Sequence, residues 1–208
     1  MKVVVFGASG KTGREIVKQG LQGGHEVTAF VRDPAKLDIT HERLRAAKGD
    51  VRDAAAVAEA VAGQDVVLSA LGPAKPDFNT MTLGMKNVLA GMKQHGVRRL
   101  VTLTGAGVPD PNDRPGPFNH FIVFLLKRLS PGVLEDSLGG VERVRASDVD
   151  WTVVRVGRLN DGPQTGNVQV GWVGTGPKPF ISRADVAAFM LREAAERRHV
   201  RQSPMIGS

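Results

Sequence analysis

The chain has 208 residues, 41% of them hydrophobic and 24% charged, with a formal net charge of +7 and no cysteine. That size and balance fit one soluble α/β domain with a substantial core and are short for two, while the missing cysteines exclude disulfides, thiolate nucleophiles and Cys-bound metals. The charge is scattered in pairs such as Arg98-Arg99, Lys127-Arg128 and Arg197-Arg198, without a long basic run or an aromatic RNA-binding motif, so no direct nucleic-acid partner is expected.

The chain goes straight into an apolar run, Val3-Val4-Val5-Phe6, which reads as a strand buried on both faces. Three glycines follow at Gly7, Gly10 and Gly13, and then a helical pattern carrying Ile16, Val17 and Leu21. Strand, glycine turn and helix form a phosphate-binding device: the N–H groups of the helix start face an anion with the helix dipole behind them. Gly7, Ser9, Gly10, Lys11, Thr12 and Gly13 are therefore candidate cofactor contacts. Gly10-Lys11-Thr12 imitates a P-loop, but the place that needs its first glycine holds Val5.

Strand and helix signals then alternate. Glu26 to Val31 and Leu44 to Lys48 read as strands, and Asp53 caps an Ala-rich helix to about Val61. Asp65 to Ala70 is a fourth strand, Thr80 to His95 a helix stopped by Gly96, and Leu100 to Thr104 a fifth strand. Residues 105–117 read as an exposed loop on the substrate side, and Phe118 to Leu129 as a helix with an apolar face, packed on the sheet or, in a sharper reading, closing as a lid over the nicotinamide end. Leu134 to Ser147 reads as a further helix, Trp151 to Val156 as a strand, and 157–180 as a glycine-rich substrate-side stretch. Ser182-Arg183-Ala184-Asp185 is a capping box opening a helix to about Glu196, and Ser203 to Ile206 is expected to add an edge strand. The order predicts a single α/β domain over 1–208: a Rossmann-type doubly wound parallel sheet with helices on both faces.

Ligands of such sheets lie at the carboxyl ends of the strands, which gathers Gly7 to Gly13, Arg32, Leu71-Gly72 and Thr104-Gly105 around one crevice. After the second strand comes Arg32, about where an NAD site offers an acid. Its guanidinium suits a 2′-phosphate, with Lys36 placed to help, and NADP(H) is preferred over NAD(H). The competing reading leaves Arg32 as a solvated charge and gives the ribose to Asp33. Asp50 and Val51 either border the adenine or form a plain turn. Thr104, Arg158 and His120 are the candidate catalytic groups: a hydrogen-bond donor, a charge for an anionic acceptor, and a proton shuttle. Each also has an ordinary reading, as a strand-end residue, a surface charge and a capping histidine. Trp172 and Phe118 are of a type to stack on a planar acceptor or to pack. The remaining histidines lack metal-ligand spacing, so no metal is expected.

The loop Gly7 to Gly13, Val31-Arg32-Asp33, Gly49-Asp50-Val51, Ala62-Gly63-Gln64-Asp65 and the box Ile181 to Asp185 resemble the atypical short-chain dehydrogenase/reductases. Asn87-Val88, His95-Gly96-Val97 and Asp161 to Gly166 bring the likeness to the NAD(P)H-binding, NmrA-like group that includes the biliverdin-IXβ/flavin reductases. The resemblance implies an oxidoreductase using NADP(H) and reducing a planar acceptor, a flavin or a quinone. Two departures stand out. The chain has no tyrosine, so the Tyr-Lys proton transfer of typical short-chain dehydrogenases is absent. The strand-five Thr-Ser of the flavin reductases is Thr104-Gly105 here, and their substrate-facing histidine falls on Arg158. The same resemblance leaves a second function open, an NADP(H)-binding redox sensor that acts through a protein partner. No signal peptide is read, and the longest greasy run, Phe121 to Leu126, is far too short to span a bilayer, so a cytoplasmic protein without a membrane partner is expected.

Overall fold

Valine-rich runs become strands because their branched side chains fit a pleated surface covered on both faces. The computed structural model describes residues 1–74 and 78–208, with the backbone alone at Phe118. In chain order the elements are β1 (Lys2–Phe6), α1 (Lys11–Gln22), β2 (Glu26–Val31), β3 (Leu44–Lys48), α2 (Ala54–Val61), β4 (Val66–Ser69), α3 (Thr80–His95), β5 (Arg99–Gly105), α4 (Pro117–Leu129), α5 (Pro131–Arg145), β6 (Asp150–Val156), β7 (Arg158–Asn160), β8 (Gln169–Gly171), β9 (Phe180–Ser182), α6 (Arg183–Glu196) and β10 (Met205–Gly207).

Eight strands form one sheet in the order β3-β2-β1-β4-β5-β6-β10-β8, parallel throughout except where β8 runs against β10. The first six positions have the doubly wound order of a dinucleotide-binding sheet. Alternation along each strand divides the core in two. Val3 and Val5 of β1 face α1 and α6 through Ile16, Val17, Val186 and Met190, while Val4 and Phe6 face α2, α3 and α5 through Val57, Met85, Val88 and Val141. β7 and β9 pair parallel in a separate ribbon.

Two expectations are corrected. Ser203 to Ile206 is not an edge strand: β10 lies inside the sheet with β6 on one side, and β8, from the glycine-rich stretch, takes the edge. Gln169 to Gly171 pair antiparallel with Met205 to Gly207 and so occupy the side that an edge strand would leave open. Nor does α4 pack on the sheet; it leans on α5, and none of its described side chains is buried. The helix expected from Leu134 begins earlier, at Pro131, because proline suits a first helical position. Among the described residues no helix is long and apolar enough to cross a membrane.

Candidate functional site

Most of the predicted site residues follow the carboxyl ends of the parallel strands. Because β1 to β6 are mutually parallel, the segments that follow them emerge on the same side of the sheet. Across that edge run Asp50 after β3, Arg32 after β2, the glycine turn after β1, Leu71-Gly72 after β4, Thr104 at the end of β5 and Arg158 after β6. The switch point lies between β1 and β4, where chain direction across the sheet reverses.

The glycine turn is built as its spacing requires. Gly7 has φ +75°, and a Cβ there would stand 2.7 Å from the Ala70 carbonyl oxygen. A Cβ on Gly13 would collide with the Gly7 carbonyl, so only glycine lets α1 sit this close to β1. Gly10 differs: a Cβ would meet the Gly7 oxygen alone, at 3.2 Å, and otherwise point into open space. No side chain caps α1, which leaves its first-turn N–H groups for a ligand anion. Ser9 is exposed and Thr12 buried. The Lys11 ammonium is engaged with Asp161, 2.8 Å away, whose other oxygen accepts from Arg183 at 2.5 Å. Lys11 first, and Arg183 beside it, hold the Asp161 carboxyl below the ordinary carboxylate range. The charge expected to serve a phosphate is thus shared with a strap from the segment after β7.

On the β2 side the two candidates separate. Asp33 caps the single turn Pro34–Lys36 by accepting from the Ala35 N–H at 3.1 Å. Arg32 is exposed and has no polar partner among the described residues. Lys36 is exposed too, and its carbonyl accepts from Arg14 at 2.6 Å. Arg14 was missed by sequence reasoning. Its Nε donates to the Ser9 carbonyl and its other nitrogens to Lys36 and Asp38, so it staples the glycine turn to the segment after β2. Its place directly after Gly13 was the available signal. Asp50 accepts from the Arg52 N–H at 2.9 Å and is a turn residue, half-buried. Val51 is buried under α3, where Asn87 donates to its carbonyl at 2.8 Å.

Over β4, β5 and β6 the edge carries open backbone and orphaned polar atoms. Leu71 is buried and its N–H donates to Ser69 Oγ at 3.4 Å. Among the described residues, nothing lies within 4 Å of a Cβ built on Gly72 or Gly105. Thr104, 4% exposed, lies in register with Arg155, yet its hydroxyl has no partner among the described residues. The indole Nε1 of Trp172 is likewise buried and unpartnered. Buried donors of this kind call for an acceptor. Arg158 is exposed, with its N–H on the Pro179 carbonyl and its guanidinium without a polar partner among the described residues. His120 is exposed on α4, with its Nδ1 3.1 Å from the Gly116 carbonyl, within the first turn of its own helix. The side chain of Phe118 lies outside the described residues.

The loop 105–117 is pinned rather than loose. Arg155, fully buried, forms two 2.7 Å bonds to Asp113 and also holds the Val108 and Ser203 carbonyls. Asp113 accepts from the Asp110 and Val173 N–H groups, which ties the loop to the stretch after β8. Burial pushes the Asp113 carboxyl up, but Arg155 and the backbone donors bring it below the usual range. Asp185 does the same for the segment after β7. Burial raises its pKa, and donors from Gly166, Ser182 and Thr165 more than reverse this.

A family model described as NAD(P)H-binding matches residues 7–197. The uncharacterized protein YwnB of Bacillus subtilis is 26% identical over 205 residues, covering 96% of this chain and 94% of its own. Among solved structures, a short-chain dehydrogenase/reductase from Veillonella parvula in complex with NADP superposes with a TM-score of 0.80 at 17% identity, covering 100% of this chain and 94% of that one. ChuY, an anaerobilin reductase from Escherichia coli O157:H7, superposes with a TM-score of 0.81 at 22% identity over 100% and 97% of the two chains.

Proposed function

Since the chain belongs to the NAD(P)H-binding family, we propose that it is an NADPH-dependent reductase that passes a hydride to a planar acceptor, a flavin or a quinone. The backbone fits the cofactor: Gly10, Gly72 and Gly105 present open positions that any side chain would fill, along the line from the uncapped α1 to the end of β5. The dinucleotide supplies the hydride; the protein holds the two reactants together and meets the charge that develops. The uncapped first turn of α1 takes the pyrophosphate. Arg32, unpartnered where Asp33 is already a cap, takes the 2′-phosphate.

The observation that carries the acceptor side is the orphaned Thr104 hydroxyl. It is a buried donor at the end of β5, beside the open Gly105. In this reading it donates to an acceptor turning anionic, while Arg158, exposed and without a polar partner among the described residues, supplies charge from the next strand end. An acceptor of this type takes its proton from solvent, which suits a chain without tyrosine. The test is nicotinamide oxidation with free FMN, riboflavin and a simple quinone, beside binding titrations of NADPH and NADH. Turnover that saturates in acceptor with NADPH preferred is expected. Tight NADPH binding with no turnover on any of them would overturn the reductase reading in favour of a sensor.

A further inference from the structure

A helix on a protein surface normally turns its apolar stripe inward. α4 does not. Phe121, Phe124 and Leu129 are 58%, 63% and 69% exposed, and Ile122, Leu125 and Leu126 stand out beside them. Phe121, Leu125 and Leu129 recur at four-residue intervals and so form one stripe along the helix. Contiguous exposed apolar surface of this kind marks a partner or a membrane interface.

Charge decides between them. From Arg114 to Leu134 the chain carries no carboxylate, while Arg114, Lys127 and Arg128 lie within the span and the whole chain has a net charge of +7. Pairing α4 with a second copy of itself would bury the apolar stripes but gather cations with no anion facing them. An anionic bilayer surface satisfies both features: apolar side chains enter the acyl boundary while Lys127 and Arg128, at the last turn, meet lipid phosphates. The shortness of the greasy run excludes spanning and has no bearing on lying in the interface.

We propose that α4 is a docking helix for anionic lipid surfaces, with the stripe Phe121, Phe124, Leu125 and Leu129 as its lipid face. The proposal stands apart from the reductase reading, since none of its residues is assigned there to the cofactor or the acceptor.

The test is cosedimentation of the full chain with vesicles of phosphatidylcholine alone and of phosphatidylcholine with phosphatidylglycerol at three to one, at low and high salt. The mixed vesicles should retain the protein, and high salt should release most of it. The pair Phe121→Ser with Phe124→Ser, and separately Lys127→Glu with Arg128→Glu, should each lower the bound fraction about ten-fold. NADPH affinity and thermal midpoint should hold in both, because these side chains are exposed. Failure to bind the mixed vesicles, or binding by either variant equal to that of the parent chain, would overturn the proposal. So would a concentration-dependent dimer in light scattering that the phenylalanine variant dissolves, since that assigns the face to a second copy.

Discussion

Two threonines on β5 carry buried hydroxyls without partners, Thr102 and Thr104. Only Thr104 stands at the strand end, and the difference yields a paired experiment. Replacing a buried, unsatisfied hydroxyl by a methyl of the same shape is neutral or stabilising. Thr102→Val and Thr104→Val should therefore both fold with an unchanged or raised thermal midpoint. Thr104→Val alone should lower kcat, by about 10²-fold if its hydroxyl meets developing charge; equal kcat in the two variants would remove Thr104 from the chemistry. Arg32→Ala should weaken NADPH by about 1.5–3 kcal/mol and leave NADH nearly unchanged, as titrations of both cofactors would show. The glycines separate in the same manner. Gly10→Val leaves the fold room, meeting one oxygen at 3.2 Å, and should abolish cofactor binding in a folded protein. Gly13→Ala drives a Cβ into the Gly7 carbonyl and should lower the thermal midpoint itself.

At the scale of elements, distant side chains hold the segments around the site. The start of α3 has no cap of its own from Asn79; Asp136 of α5 accepts from the Met81 and Thr82 N–H groups at 3.0 and 2.8 Å instead. Arg155 and Asp113 pin the loop after β5, and Asp113→Ala should cost about 3–5 kcal/mol in denaturant unfolding, because it strands a buried guanidinium. Asp113 and Asp185 also set an acid limit. Both have folded pKa values below the ordinary aspartate value of about 3.9. Their stabilisation is thus complete above about pH 4 and is lost as pH falls through the lowered folded values. Asp185→Asn should flatten the acid limb of the stability–pH curve relative to the parent chain; an unchanged slope would show that Asp185 contributes none of it.

At the scale of the molecule, local signals and distant ones parted company. β2, β3 and α3 fall where their residues predicted, because a strand's apolar run and a helix's caps depend on neighbours within a few positions. Asp53 caps α2 and Gly96 closes α3 in a left-handed conformation, both by short-range geometry. Ser182 caps α6 as the box implies. Its partner Asp185 instead holds Thr165 and Gly166, about twenty residues away, and no local pattern announces that.

The candidate site shows the same division. The sequence by itself determined the doubly wound order, the glycine turn and the alignment of Gly7, Arg32, Gly72 and Thr104 along one edge, since parallel strands bring their carboxyl ends together whatever packs above them. Tertiary structure alone decided which of these groups are free to act. It turned Asp33 and Asp50 into turn residues, gave Lys11 to Asp161, and folded His120 back on its own helix. Among the described residues it left the Thr104 hydroxyl and the Arg32 guanidinium without partners, and it set α4 against α5 with its apolar stripe exposed. A side chain's availability depends on what the fold sets beside it, and those neighbours come from far along the chain.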